Sequence, residues 1–363
     1  MRPLIRIIMV CLLMLLLCFS SGGEDQLFCL KKRADKGIYL TAYTAQSARL
    51  TKLIKQARAA GLNTFVIEAK TMLEGPILEL ARMRHLGSRS VVFADPLLSR
   101  IVSRLHREGF IVSVRLVVFK DDHLVLARPD LAVRVKGGKL YRDHMGGRWA
   151  DPYSDEVRLY NALIAERAAL SGVDEVQFDY IRFPAEGQAH LAYFPHCKEG
   201  VSRVQIITRF LQDVRRRLKD YDVSIAVDIF GVTAWQQWND IKNLGQDLKA
   251  MAPYIDVLSP MFYPSHFHSG YDGVEEPGAH PYYFVNTGVR KAKEILSGEA
   301  VAIVPWLQGF DLRSPNFGPG YILEQIRACR KEGVDSYLIW NASNDYWATF
   351  AINRMQGQSQ SEL

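Results

Sequence analysis

The chain has 363 residues, 48% apolar, 23% charged and 11% aromatic, a mixture that excludes a disordered or fibrous protein and allows a large core. Lysine and arginine outnumber aspartate and glutamate 45 to 39. No run of five like charges occurs, and the nearest, Arg215, Arg216, Arg217 and Lys219, reads as a solvated helix face, so no nucleic-acid partner is expected.

Residues 1–22 carry Arg2 and Arg6 ahead of an apolar run from Ile7 to Phe19, then Ser20, Ser21, Gly22 and Gly23, the layout of a secretory signal. A bilayer span needs about 20 apolar residues, so cleavage near Gly22 is expected over a permanent anchor. Cys18 suggests lipidation, and Leu17 before it argues against that. The protein is therefore expected to be exported, periplasmic or extracellular, and membrane-held only if the leader is retained or Cys18 is lipidated. Beyond the leader, Cys29, Cys197 and Cys329 are too few and too scattered for a disulfide framework. Residues 23–35 read as a linker.

From Lys36 onward, short β-rich segments alternate with segments of helical period. Strands are predicted at Gly37 to Tyr43, Thr64 to Ala69, Ile111 to Phe119, Glu175 to Phe183, Val223 to Gly231, Ile255 to Tyr263, Ala302 to Phe310 and Ser336 to Asn341. Helices are predicted at Ala48 to Ala60, Pro96 to Glu108, Asp155 to Leu170, Val204 to Lys219, Tyr283 to Leu296 and Tyr321 to Glu332. Gly61, Gly109, Gly172 and Gly333 stand where a helix must close before the next strand. Eight such units favour a single-domain α/β fold, a (β/α)8 TIM barrel over residues 36–347, with 348–363 as a tail. No nucleotide-binding glycine motif follows a strand. Two insertions, Lys120 to Pro152 and Pro264 to Pro281, follow the third and sixth strands, on the side where barrel enzymes carry their chemistry.

Barrel strands should be apolar, so polar groups near their C-terminal ends are informative. These are Glu68, Lys70, Arg115, Asp179, Arg182 and Asp228, joined by Tyr43, Tyr180, Tyr263, His266, Trp306, Gln308, Trp340 and Asn341. Asp179 and Asp228 fall on neighbouring strands. Glycosidic chemistry needs such a pair, one carboxylate to attack or to activate water and one protonated carboxyl to release the leaving oxygen. Asp179, Asp228 and Glu68 are the catalytic candidates. Lys70, Arg115, Tyr180, Arg182, Tyr263, His266, Trp306, Gln308, Trp340 and Asn341 are the substrate-binding candidates. Purely structural roles compete: an Asp179–Arg182 bridge, Asp228 as a hydrogen-bonded structural carboxylate, Glu68 paired with Lys70, Arg115 or a rim arginine, and Trp306 and Trp340 as filling. His266 and His268 with His190, His196 or His280 offer no convincing ligand set, so neither metal nor other cofactor is expected.

The segments Val173 to Pro184, Val227 to Gly231, Ser259 to His266, Lys36 to Thr41 and Asn63 to Lys70 together resemble the bacterial glycoside hydrolase-like family once labelled domain of unknown function 4015. The resemblance implies a TIM barrel distantly similar to the α-amylase-like clans, whose fourth strand ends in a nucleophilic Asp, the place of Asp179. Those enzymes end the fifth strand in a catalytic Glu, where this sequence has Asp228, so the acid stays open among Asp228, Glu68, Asp311, Glu275 and Glu276. The expected function is hydrolysis of an envelope or extracellular polysaccharide. The alternatives are a non-catalytic carbohydrate-binding or scaffold barrel and a metal-dependent polysaccharide deacetylase.

Overall fold

The computed structural model describes residues 31–352; the leader predicted in residues 1–22 and Cys29 lie outside them. Two units separate by internal contacts, Met1–Lys31 and Lys32–Leu363, and the architecture below is that of the second.

Eight parallel strands close into a barrel: β1 (Lys36–Leu40), β2 (Thr64–Glu68), β3 (Ile111–Val117), β4 (Glu175–Asp179), β5 (Ser224–Phe230), β6 (Val257–Phe262), β7 in two halves (Ala302–Ile303 and Trp306–Gln308), and β8 (Tyr337–Trp340). β7 pairs with β8, and β8 returns to β1. The predicted seventh strand is continuous, whereas the observed one breaks at Val304 and Pro305, because proline has no N–H to give the ladder. Six crossover helices cover the outside: α1 (Arg49–Ala59), α2 (Pro96–Arg107), α3 (Asp155–Leu170), α4 (Arg203–Arg217), α5 (Pro281–Ile295) and α6 (Pro319–Lys331). Where no helix was predicted between the fifth and sixth strands, two short ones stand, Trp238–Leu244 and Leu248–Met251. Gly61, Gly109, Gly172 and Gly333 all take positive φ, between 71° and 89°, which a side chain would resist.

Strand alternation splits the apolar residues into two sets. One faces the helices and includes Ile38, Phe65, Val114, Phe178, Ile229 and Leu307. The other fills the barrel, with Tyr39, Val66, Ala226, Val257, Trp306 and Leu338. Ala34, at the end of the predicted linker, belongs to the inner set. Its N–H donates to Glu175 at 2.9 Å, and Ser113 donates to the same carboxyl at 2.8 Å. Burial lifts the Glu175 carboxyl to about 7, and both of its oxygens are satisfied at the floor of the barrel. Residues 347–352 are helical.

The helix layer packs closely enough to test. A methyl group added at Gly288 in α5 would lie 2.3 Å from the buried Phe262 ring of β6. Gly288→Ala is therefore expected to lower stability by about 1–3 kcal/mol, read as a lower urea midpoint with an unchanged slope.

The segments after the strands build the upper rim. The insertion after β3 carries a helix at Asp122–Ala127 and a strand, Arg134–Val135, that pairs antiparallel with Ala192–Tyr193 from the segment after β4. That second segment escapes detection in the sequence because it has neither helical period nor glycine clusters. Together the two wall one side of the barrel mouth.

Candidate active site

Strand registers decide which polar groups meet. Glu68 lies level with Arg115, Arg115 with Gln177, and Val117 with Asp179. Phe178 is level with Val227, so Asp179 and Asp228 follow as the next residues on adjacent strands, on the inward face.

Arg115 is the hub. Its Nε and Nη2 donate to Asp179 Oδ2 at 2.9 and 2.5 Å, and its Nη1 pairs with Glu68. The guanidinium also lies over the Trp340 ring, 5.1 Å from its centroid. Burial alone would make Arg115 easier to deprotonate, but Asp179 and Glu68 outweigh it and hold the guanidinium firmly charged. Asp179 has a second anchor: the Tyr180 N–H donates to its Oδ1 at 2.6 Å. Tyr180 itself takes φ 51°, a left-handed conformation uncommon for a large side chain and concentrated at functional sites.

Asp228 is held differently. It is 2% exposed, and its Oδ1 accepts from Gln177 Nε2 at 2.7 Å and Trp306 Nε1 at 2.8 Å. Burial first, and the Asp179 charge second, push its carboxyl well above the usual range; Arg115 and the Trp306 N–H pull the other way without cancelling them. Both neutral donors fall on Oδ1, so the proton of the acid form belongs on Oδ2. Two carboxyls one strand apart thus sit in different environments, one ion-paired and one buried among neutral donors with its carboxyl pushed toward the acid form.

Above them opens a cavity of about 650 Å³ lined by Arg115, Asp179, Asp228, Tyr263, Trp306 and Trp340, with Tyr180, Arg182 and His266 on its walls, a volume within the usual range for ligand sites. These nine include most of the predicted residues. The competing Asp179–Arg182 bridge does not form. Arg182 instead pairs with Glu186 at 2.5 Å and stacks 4.2 Å from the Phe230 centroid, which makes it part of the wall. Trp306 is both barrel filling and the donor to Asp228. His266 stands exposed at the rim.

Four predicted residues lie outside this cavity, Asn341 lining the neighbouring one instead. Glu68 is committed to Arg115 and does not line the cavity; it balances the guanidinium from the side away from Asp228. Lys70 is buried beneath the rim, paired with Asp121 at 2.6 Å and donating to Asn161 at 3.1 Å, because Asp121 at the start of the next insertion captures it. Gln308 accepts from the Ser265 N–H and donates to the Phe310 and Leu312 carbonyls, so its amide ties two rim segments together. Asn341 donates to Gly309 O and accepts from Ser343, shaping the turn after β8. Tyr43 is 82% exposed, outside the cavity. Gln177, the amide on Asp228, was missed, although its place between Glu175 and Asp179 in an alternating strand marks it as inward. Among the described residues no group of three or more His, Cys, Asp or Glu is arranged to hold a metal ion. His196 lies against Asp130 O and His268 against Ser269 O. Cys197 is exposed and Cys329 buried, both free.

A family model described as "Putative glycosyl hydrolase domain" matches residues 37–346. No curated protein matches the chain. Among solved structures, the glycoside hydrolase domain of PgaB (BpsB) from Bordetella bronchiseptica is similar with a TM-score of 0.59 at 14% identity, over 90% of this chain and 98% of that one. A β-galactosidase from Marinomonas ef1 follows at 0.57 and 12%, over 90% and 60%. An endo-1,4-β-D-mannanase from Thermotoga petrophila gives 0.51 and 16%, over 87% and 92%. At these identities the likeness is one of fold, the TIM barrel.

Proposed function

The chain belongs to the family described as a putative glycosyl hydrolase domain, and on that premise we propose that it cleaves glycosidic bonds of an envelope or extracellular polysaccharide, with Asp179 and Asp228 as the working pair. The observation that carries this is the pair of inward carboxyls on adjacent strands at the open end of the barrel, Asp179 ion-paired with Arg115 and Asp228 buried and held by Gln177 and Trp306, where burial pushes its carboxyl toward the acid form. Asp228 gives its proton to the leaving oxygen as the bond to the anomeric carbon breaks. Asp179, ion-paired with Arg115, attacks that carbon or activates the water that does. Arg115 is a positioning residue, fixing one oxygen of Asp179 while the Tyr180 N–H fixes the other. Trp340 and Tyr263 offer flat faces to the sugar ring. The leader predicted from Arg2, Arg6 and the apolar run supports export to where such polymers lie.

The acid role has a specific test. Asp228→Asn is expected to lower reducing-end release from natural glycans by about 10²–10⁴-fold, yet to spare aryl glycosides with acidic leaving groups, which need no proton. Equal loss on both substrate types would remove Asp228 from the role. Retention of glycans by the wild type without product release would favour the binding-barrel alternative.

The raised carboxyl also sets a pH dependence. The acid form of Asp228 is the active one, so kcat/KM falls on the alkaline side as that proton is lost. The Trp306 N–H favours the carboxylate form. Trp306→Phe removes it and should move the alkaline limb to higher pH; a move to lower pH contradicts the assignment.

A further inference from the structure

The cleft over Asp179 and Asp228 does not end at Trp340. A second cavity of about 590 Å³ opens beyond it, between the segments that follow β7 and β8, and Trp340 and His266 line both. Phe310, Phe317 and Trp347 form its apolar side. The Phe317 and Trp347 rings meet edge-on at 6.3 Å, and Trp347 is 55% exposed. An indole so placed keeps a flat face free for a ring while its edge stays in water. The polar side carries Asp311 and Asp345, and among the described residues no lysine or arginine lines the cavity. Asp311 Oδ1 accepts from Ser314 Oγ at 3.1 Å and Asp345 Oδ1 from the Trp347 N–H at 3.3 Å, which fixes both carboxylates at the edge of the groove.

We propose that this second cavity is a glycan subsite, holding sugar units that extend the substrate beyond the cleaved bond, with Trp347 as the stacking face and a preference for neutral or amino sugars over uronic acids. The inference rests on the active-site reading above, since what makes the occupant a continuing glycan chain is the groove's continuity with that cleft through Trp340 and His266. Asp311 and Asp345 set the charge preference. Their oxygens accept bonds from sugar hydroxyls or ammonium groups, and their charge repels a carboxylated ring. A chain lying from the β4 side to Trp347 spans the mouth, so affinity rises with chain length.

The test is calorimetric binding in the Asp179→Asn protein, using cello-, manno- and chito-oligosaccharides of two and six units, chitosan hexamer and galacturonate hexamer. At least one neutral or amino-sugar series is expected to bind as hexamer about tenfold or more tighter than as dimer, a difference of about 1.4 kcal/mol. The galacturonate hexamer should bind more weakly. Adding Trp347→Ala should collapse the hexamer-to-dimer ratio toward one, and Trp347→Phe should restore part of it and serve in its place if the alanine variant does not fold. Asp311→Asn with Asp345→Asn should bring the galacturonate hexamer closer to the neutral ones; an Asn side-chain oxygen can still accept the Trp347 N–H and Ser314 hydroxyl bonds. A panel with no length preference, absence of binding included, overturns the proposal. So does a ratio that ignores Trp347, or galacturonate binding as tight as the rest. Product release by the Asp179→Asn protein would instead defeat the catalytic assignment, and the affinity ratio would still decide this one.

Discussion

Asp179→Asn is expected to lower glycan hydrolysis by about 10³-fold or more while the barrel stays folded. The amide keeps the size of the carboxyl and can neither attack an anomeric carbon nor take a proton from water. Arg115 retains Glu68 as a partner, so the guanidinium is not left alone in a buried site. The same substitution removes the charge that, after burial, does most to hold the Asp228 proton. Asp228 should therefore titrate lower in the variant than in the wild type, though burial still keeps it above an ordinary aspartate. Reducing-end release and the thermal midpoint, measured on the same preparation, check both halves. Undiminished turnover would sink the assignment, and collapse of the fold would recast Asp179 as structural.

Arg115→Met is expected to be the most damaging change in the barrel, costing about 3–5 kcal/mol together with most of the activity. Its side chain joins two carboxylates across β2, β3 and β4, and removing it leaves the buried Asp179 and the partly buried Glu68 with no cation between them. The loss arises from their repulsion and unmet solvation rather than from a missing contact. Arg115→Lys should recover only part, because one ammonium cannot reproduce a fork that bonds two partners at once. Urea unfolding of the three proteins reads the effect directly. An Arg115→Met protein as stable as the wild type at neutral pH would mean that the pairs contribute little.

Much of this was legible in the sequence because the barrel repeats its own grammar. Strand composition, helical period and a glycine after four of the helices located all eight strands and six helices within a few residues, and α3 matches at both ends. The inward set on β4 could also be read, since alternation puts Glu175, Gln177 and Asp179 on one face. Partners contributed by distant loops were not legible. Lys70 follows a strand end as a substrate-binding lysine would, and only the fold reveals that Asp121 takes it. Gln308 is likewise spent on two rim segments that local pattern does not connect. The ion pair of Asp179 went to Arg115 rather than Arg182 because adjacent strands bring Arg115 within reach, while Arg182, three residues along the chain, turns to Glu186. Sequence proximity favoured the wrong arginine, and register decided the matter.

A carboxyl pushed toward its acid form and an ion-paired carboxylate share the mouth of the barrel. Carbon-13 NMR of aspartate-labelled protein, with the Asp228 signal identified by its loss in Asp228→Asn, tests it most directly. The account predicts that the Asp228 carboxyl remains protonated at neutral pH, long after exposed aspartates have ionised. An Asp228 signal that titrates together with those exposed residues would contradict it.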